Sequence, residues 1–318
     1  MKISILGGGS WGTALAAQLA KNKHQVKIWE FFEEQARKMK HERVCPLLPE
    51  VRLSDNIFVS SKMEEVLPDS KLVFIVVPSD KVEVTISQAV KFLESQSLII
   101  CSKGFASNSR LLSEVVQEKV KPEMKEKVYC LYGPTHAEEV GKGKLTGIVL
   151  AGGKGKQKIK KVLESENFKV ELSKDIVGMQ VAAALKNVFA VFIGLLEGLN
   201  QGDNAKAYIM TKGLEEIKEV GLAWGAKKET FYGLAGLGDL IVTCTSKHSR
   251  NRHVGEEVGK GRKLSDVLAE MKMVAEGVTN LKEAIHLQEK FNLKLPLING
   301  LYEILFEGKE AREVLKEV

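Results

Sequence analysis

The sequence predicts two domains of different class. An α/β N-terminal domain built on a doubly wound sheet occupies residues 1–175, and an all-α C-terminal domain occupies residues 176–318. Three observations carry this reading. Short β-branched runs alternate with longer amphipathic stretches through the first half. Glycines and prolines follow directly on several of those runs. From Asp175 onward helical spacing takes over, with few strand signals.

Lys2–Leu6, Gln25–Trp29, Leu72–Val77, Leu98–Cys101 and Val128–Leu131 read as strands of a parallel sheet, with Gly147–Leu150 and Phe168–Glu171 as shorter candidates. Pro78, Gly104 and Gly133-Pro134 fall where the carboxyl ends of parallel strands gather, the usual place for a ligand. Asp175 to Leu199 is mostly apolar and about 36 Å long if helical throughout. Lys186, Asn187 and Glu197 interrupt it, which is costly in lipid and suited to a central helix lining a polar site, so no stable membrane insertion is expected. Ala205–Val220, Lys263–Met271, Asn280–Lys290 and Pro296–Phe306 follow with helical spacing, and Gly233–Gly238 reads as a loop.

At 318 residues and 44% hydrophobic content the chain can build two cores. A net charge of +6 suits anionic small molecules and is weak for nucleic acid. The basic run Lys247–His253 has no interleaved aromatic residues, so nucleic acid is not an expected partner. Cys45, Cys101, Cys130 and Cys244 form no CxxC pair, which argues against a disulfide framework and a zinc site and for a reducing cytoplasm. His136-Ala137-Glu138 resembles the start of a zinc-deaminase signature, but no CxxC follows it, so no metal is expected. The N-terminus opens into a strand rather than a signal peptide. Oligomeric state is left open, a homodimer included.

Gly7, Gly9 and Gly12 form GxGxxG between a strand and a helix rich in small residues, the context of a Rossmann-type dinucleotide fingerprint. The first glycine permits a tight turn, the second lets backbone approach pyrophosphate, and the third allows close helix packing. The helix N-terminus attracts the phosphate charge. Glu30, at the end of the second strand, stands near the spacing at which a carboxylate meets the adenosine ribose. It would accept from both hydroxyls and repel a 2′-phosphate, so NAD is expected over NADP. The alternative is a solvated Glu30, with Phe31 or Phe32 stacking the adenine and Arg37 or Lys38 reaching a phosphate.

Lys186 has Ala182, Ala183, Phe189 and Ala190 as helical neighbours. It is either a buried ammonium with a lowered pKa, fit for acid and base chemistry, or a lysine that snorkels to water.

The full chain resembles the bacterial NAD(P)-dependent glycerol-3-phosphate dehydrogenase family. The resemblance runs through GGGSWGTALA at 7–16, VPS at 77–79, SKG at 102–104, YGPTHAEEV at 132–140, ALKNV at 184–188, GLGDLIVTC at 236–244, SRNR at 249–252 and VAEGV at 274–278. It implies interconversion of dihydroxyacetone phosphate and sn-glycerol 3-phosphate with NAD or NADP, in service of phospholipid synthesis. It implies Lys186 as catalytic acid and base, with Lys103 and Asp239 completing the catalytic group. Lys103, Gly133, Thr135, Lys186, Asn187, Asp239, Thr243, Ser249, Arg250 and Asn251 would contact the small phosphorylated substrate. Ser10, Trp11, Phe31, Phe32, Lys103, Ala137, Arg250, Val274 and Glu276 would join the glycines and Glu30 around the dinucleotide. Glu30-Phe31-Phe32 departs from the basic residue that many bacterial relatives carry there.

Overall fold

The structure, a computed structural model, describes residues 1–271 and 275–317. Its internal contacts divide the chain into two units. One comprises Met1–Ser102 and Leu112–Ile176, the other Lys103–Leu111 and Val177–Val318. The second unit therefore draws on two separate stretches of chain.

The first unit is an α/β sheet domain. Its strands are β1 (Lys2–Leu6), β2 (Gln25–Trp29), β3 (Val44–Cys45), β4 (Leu48–Arg52), β5 (Ile57–Ser60), β6 (Leu72–Ile75), β7 (Ser97–Ile100), β8 (Val128–Tyr132), β9 (Thr146–Gly152) and β10 (Phe168–Leu172). Eight of them form one sheet in the order β10-β9-β8-β7-β6-β1-β2-β5, and β3 and β4 pair apart from it. Every pairing in the large sheet is parallel except β8 with β9, where Tyr132 lies opposite Val149. The sheet is thus mixed at one pair, whereas the sequence rhythm predicts parallel strands throughout. Strands β6 and β8 are buried along their whole length, which is why they read as continuous apolar runs without alternation. The edge strand β5 and the β3–β4 pair escape a sequence reading because they are short and broken by Pro49, Glu50 and Asp55.

Helix Ser10–Lys21 follows β1 and is buried from Gly12 through Ala20. Its small residues let it lie against the sheet. A Cβ added at Gly12 would stand 2.0 Å from the Gly7 carbonyl oxygen, so only glycine permits this approach.

The second unit is helical. Helix Ile176–Gly198 is long and apolar enough to cross a membrane, but 89% of its most apolar window is buried inside the fold. It is apolar on all sides because other helices surround it. Arg250–Gly259 packs closest. A Cβ at Gly255 would lie 1.8 Å from the Val191 carbonyl oxygen, and one at Gly194 1.8 Å from that of Arg252, so glycine on each helix brings the backbones together. Gly202–Ala223, Leu264–Glu270, Glu276–Phe291 and Pro296–Tyr302 complete the bundle. Leu234–Gly238, expected as a loop, is a π-helical turn that runs into helix Asp239–Thr245. Its glycines mimic a loop signal, yet Gly236 serves close packing, since a Cβ there would meet the Phe231 carbonyl oxygen at 2.3 Å. Such turns inside helices commonly mark functional sites.

Candidate functional site

In the sheet unit, the turn after β1 places Gly7 at φ +119°, a conformation that favours glycine. Nothing lies within 4 Å of a Cβ built on Gly9, so the turn opens outward there. Gly9 also caps helix Ser10–Lys21 without a side-chain acceptor, which leaves the first-turn amides oriented for an anion. The indole Nε1 of Trp11 is buried and has no hydrogen-bond partner among the described residues. An open glycine turn, an uncapped helix N-terminus and an orphaned buried donor together fit a dinucleotide pyrophosphate.

Glu30, at the end of β2, is only 5% exposed, so the reading of a solvated charge does not hold. Its Oε2 accepts from the Gly8 amide at 3.1 Å and its Oε1 from the Phe32 amide at 3.0 Å. Burial pushes its pKa up, against the pull of those two amides. Phe31 and Phe32 are both largely exposed and meet edge to face at 5.2 Å. At the end of β8, Gly133 is buried and the Thr135 hydroxyl donates to the Gly133 carbonyl at 3.1 Å. Ala137, also buried, opens helix Ala137–Gly141.

The helical unit gathers two ammonium groups around one carboxylate. Asp239, at the start of its helix, is 1% exposed. Its Oδ1 accepts from Lys186 Nζ and its Oδ2 from Lys103 Nζ, both at 2.8 Å. Asp239 and Thr243 are one helical turn apart, so both face Lys186, whose ammonium donates to the Thr243 hydroxyl at 2.6 Å. Lys186 is 4% exposed, which settles it as buried rather than snorkelling. Burial lowers its pKa most. Asp239 raises it, Lys103 lowers it further, and the result is about 8. For Asp239, burial pushes the pKa up, but the two lysines outweigh it and hold the carboxyl below its ordinary value. The cluster is therefore a carboxylate shared by two ammonium groups, one of which titrates near working pH.

Beside it, Asn251 donates to Asn187 Oδ1 at 3.0 Å and accepts from the Gly277 amide at 2.9 Å. Ser249 is buried and caps helix Arg250–Gly259 by accepting from the Arg252 amide. Arg250 begins that helix with an exposed side chain, and Glu276 begins helix Glu276–Phe291 half-buried. Val274 lies outside the described residues.

Sequence reasoning passed over two residues here. Cys244 is buried and faces Lys186 and Asp239. Asn280 is 1% exposed and sits on the apolar stripe of its helix with Ala284 and Leu287. An amide at a core position of an amphipathic helix is the signal that could have found it.

Comparison with known proteins agrees with both units. The family model described as NAD-dependent glycerol-3-phosphate dehydrogenase N-terminus matches residues 2–158, and the corresponding C-terminus model matches residues 175–316. A Bacillus licheniformis glycerol-3-phosphate dehydrogenase (NAD(P)+) is 40% identical over 100% of this chain and 93% of its own length. The Bacillus subtilis protein of the same name is 37% identical over the same shares. Among solved structures, glycerol-3-phosphate dehydrogenase from Coxiella burnetii is 31% identical with a TM-score of 0.94, covering 99% of this chain and 98% of that one. With both halves matched in order and relatives aligned end to end, the chain belongs to the NAD-dependent glycerol-3-phosphate dehydrogenase family.

Proposed function

We propose a division of work among the residues of this oxidoreductase, which interconverts dihydroxyacetone phosphate and sn-glycerol 3-phosphate with NAD or NADP. The observation that carries it is the Lys186–Asp239–Lys103 cluster. A bound nicotinamide dinucleotide supplies the hydride. Gly7, Gly9, Ser10, Trp11 and Gly12 would hold its pyrophosphate, and Glu30 with Phe31 and Phe32 its adenosine.

Lys186 donates a proton to the C2 oxygen in reduction and removes it in oxidation. Its ammonium has three protons; Asp239 and Thr243 engage two, which leaves one for the substrate oxygen. Lys103 stabilises the charge that develops on that oxygen, and Asp239 orients both ammonium groups. Arg250 takes the substrate phosphate, with Ser249, Asn251 and Asn187 of the same unit beside it. Supply of glycerol 3-phosphate for phospholipid synthesis is consistent with this activity. The protein acts in the cytoplasm without inserting into membranes.

A panel of ketones with and without phosphate, assayed against NADH and NADPH, tests the reading. Reduction confined to the phosphorylated ketone is expected. Equal turnover of unphosphorylated ketones would overturn it.

A further inference from the structure

Lys103 and Lys186 come from stretches of chain far apart in sequence, yet both lie 2.8 Å from the same carboxylate. Two ammonium groups so placed repel each other, and each sits on a flexible stem that loses rotamer freedom when held. Asp239 draws both side chains in, but the backbones that carry them must be fixed by something else.

Helix Ile176–Gly198 fixes Lys186, because it is packed on every side. Lys103 starts the segment Lys103–Leu111, which has no helix or strand of its own beyond an isolated bridge between Ala106 and Arg110. Asn108 and Ser109 in that segment have φ of 61° and 50°, left-handed values that its surroundings must hold in place. Two side chains of helix Glu276–Phe291 do so, three residues apart on one face. Glu283 Oε2 accepts from both the amide and the hydroxyl of Ser109 at 2.7 Å. Asn280 Oδ1 accepts from the Phe105 amide at 3.3 Å, and its Nδ2 donates to the Ala184 carbonyl at 3.1 Å. Phe105 is two residues beyond Lys103, and Ala184 is two residues before Lys186. One buried amide thus ties the backbone next to one lysine to the backbone next to the other.

We propose that Asn280 is a positioning residue that holds the Lys103 segment in register with the Lys186 helix, so that both ammonium groups meet Asp239. This rests on the catalytic reading of the two lysines. The helix is locked in the core and the segment is not, so loss of the tie lets the segment move and takes Lys103 away from Asp239. The ionisable groups facing Lys186 are Asp239, Lys103 and Cys244, and Lys103 is the one whose withdrawal raises the Lys186 pKa. The loss of Asn280 therefore has a signature that loosened packing alone lacks.

The test compares Asn280→Leu, Lys103→Met and the double variant in the full enzyme with dihydroxyacetone phosphate and NADH. Leucine keeps the volume and removes both hydrogen bonds. The expected result is a fall in kcat on the order of 10²-fold, since a misplacement of about 1 Å has that cost. The basic limb of the pH profile should shift upward, as in Lys103→Met, and the double variant should lose no more than Lys103→Met alone. Glu283→Ala frees the same segment at Ser109 and should show the same direction of change in a smaller degree; it carries the test if Asn280→Leu does not fold. Additive losses, or an unshifted limb in whichever variant folds, would overturn the proposal. Full turnover in Lys103→Met would instead overturn the catalytic reading of Lys103, and the tie with it.

Discussion

The Thr243 hydroxyl accepts from Lys186 at 2.6 Å because its own proton is already committed to the Asp239 carbonyl, also at 2.6 Å. That commitment fixes the direction of the hydrogen bond. Thr243 can only accept from the lysine, and it favours the ammonium form.

Lys186→Met should lower turnover by several orders of magnitude and leave NADH binding nearly intact, since the lysine acts on the transferred proton. Steady-state kinetics and a fluorescence titration with NADH check both halves. A folded variant with ordinary turnover would remove Lys186 from the chemistry.

With Lys186 as the acid and base proposed above, reduction needs it protonated and oxidation needs it neutral. With its pKa lowered to about 8, kcat/KM for reduction should fall as pH rises through that value, and kcat/KM for oxidation should rise. Asp239→Asn removes the nearby negative charge and should move the limb to lower pH. Lys103→Met removes a like charge and should move it higher. Profiles recorded in both directions, with limbs that stay in place in the two variants, would contradict the assignment.

If Glu30 meets the adenosine ribose as proposed, Glu30→Ala should raise the use of NADPH relative to NADH, because it removes a carboxylate that would repel a 2′-phosphate. The ratio of kcat/KM for the two cofactors is the measurement. An unchanged ratio would mean that the Gly8 and Phe32 amides fully occupy Glu30.

Arg250→Ala should cost roughly 2–5 kcal/mol in transition-state binding of dihydroxyacetone phosphate, or about 30- to several-thousand-fold in kcat/KM. Arg250→Lys should also be impaired, since it keeps the charge and loses the planar fork. Unphosphorylated dihydroxyacetone should suffer far less. Equal losses for both ketones, with NADH affinity unchanged, would assign Arg250 to the reacting centre.

Glu216 accepts from the Leu297 and Ile298 amides at 2.7 and 3.1 Å, and burial raises its pKa from 4.5 to about 7, with Glu219 nearby adding to the rise. Between those values the folded protein binds the proton and the unfolded chain does not. This group's contribution to stability is therefore full below pH 4.5 and is lost as pH rises through about 7. Thermal melts across that window should show the decline in the native protein and a flatter course in Glu216→Gln. Parallel courses would show that Glu216 does not titrate there.

Much of this was legible in the sequence where one residue's chemistry announces its neighbours. Gly7, Gly9 and Gly12 between a strand and a helix dictate the phosphate turn, and a lysine amid alanines and phenylalanine on a long apolar helix predicts its own burial. The antiparallel pairing of β8 with β9 was not legible, because a strand's direction leaves no mark on its composition. The π-turn at Leu234–Gly238 was hidden by glycines that serve packing and read as a loop. The ties from Asn280 and Glu283 to the Lys103 segment were invisible because they join residues about 175 positions apart by single hydrogen bonds, which follow from tertiary packing alone.

That Lys103–Leu111 belongs with the helical unit also governs how relatives can be recombined. A chimera made with one crossover near residue 175 takes Lys103 from the parent that supplies the cofactor half, while Asn280 and Glu283 come from the other parent. Lys103 would then meet foreign anchors. A graft that also exchanges residues 103–111 keeps each lysine with the helix that holds it, so three crossovers should succeed between distant parents where one fails.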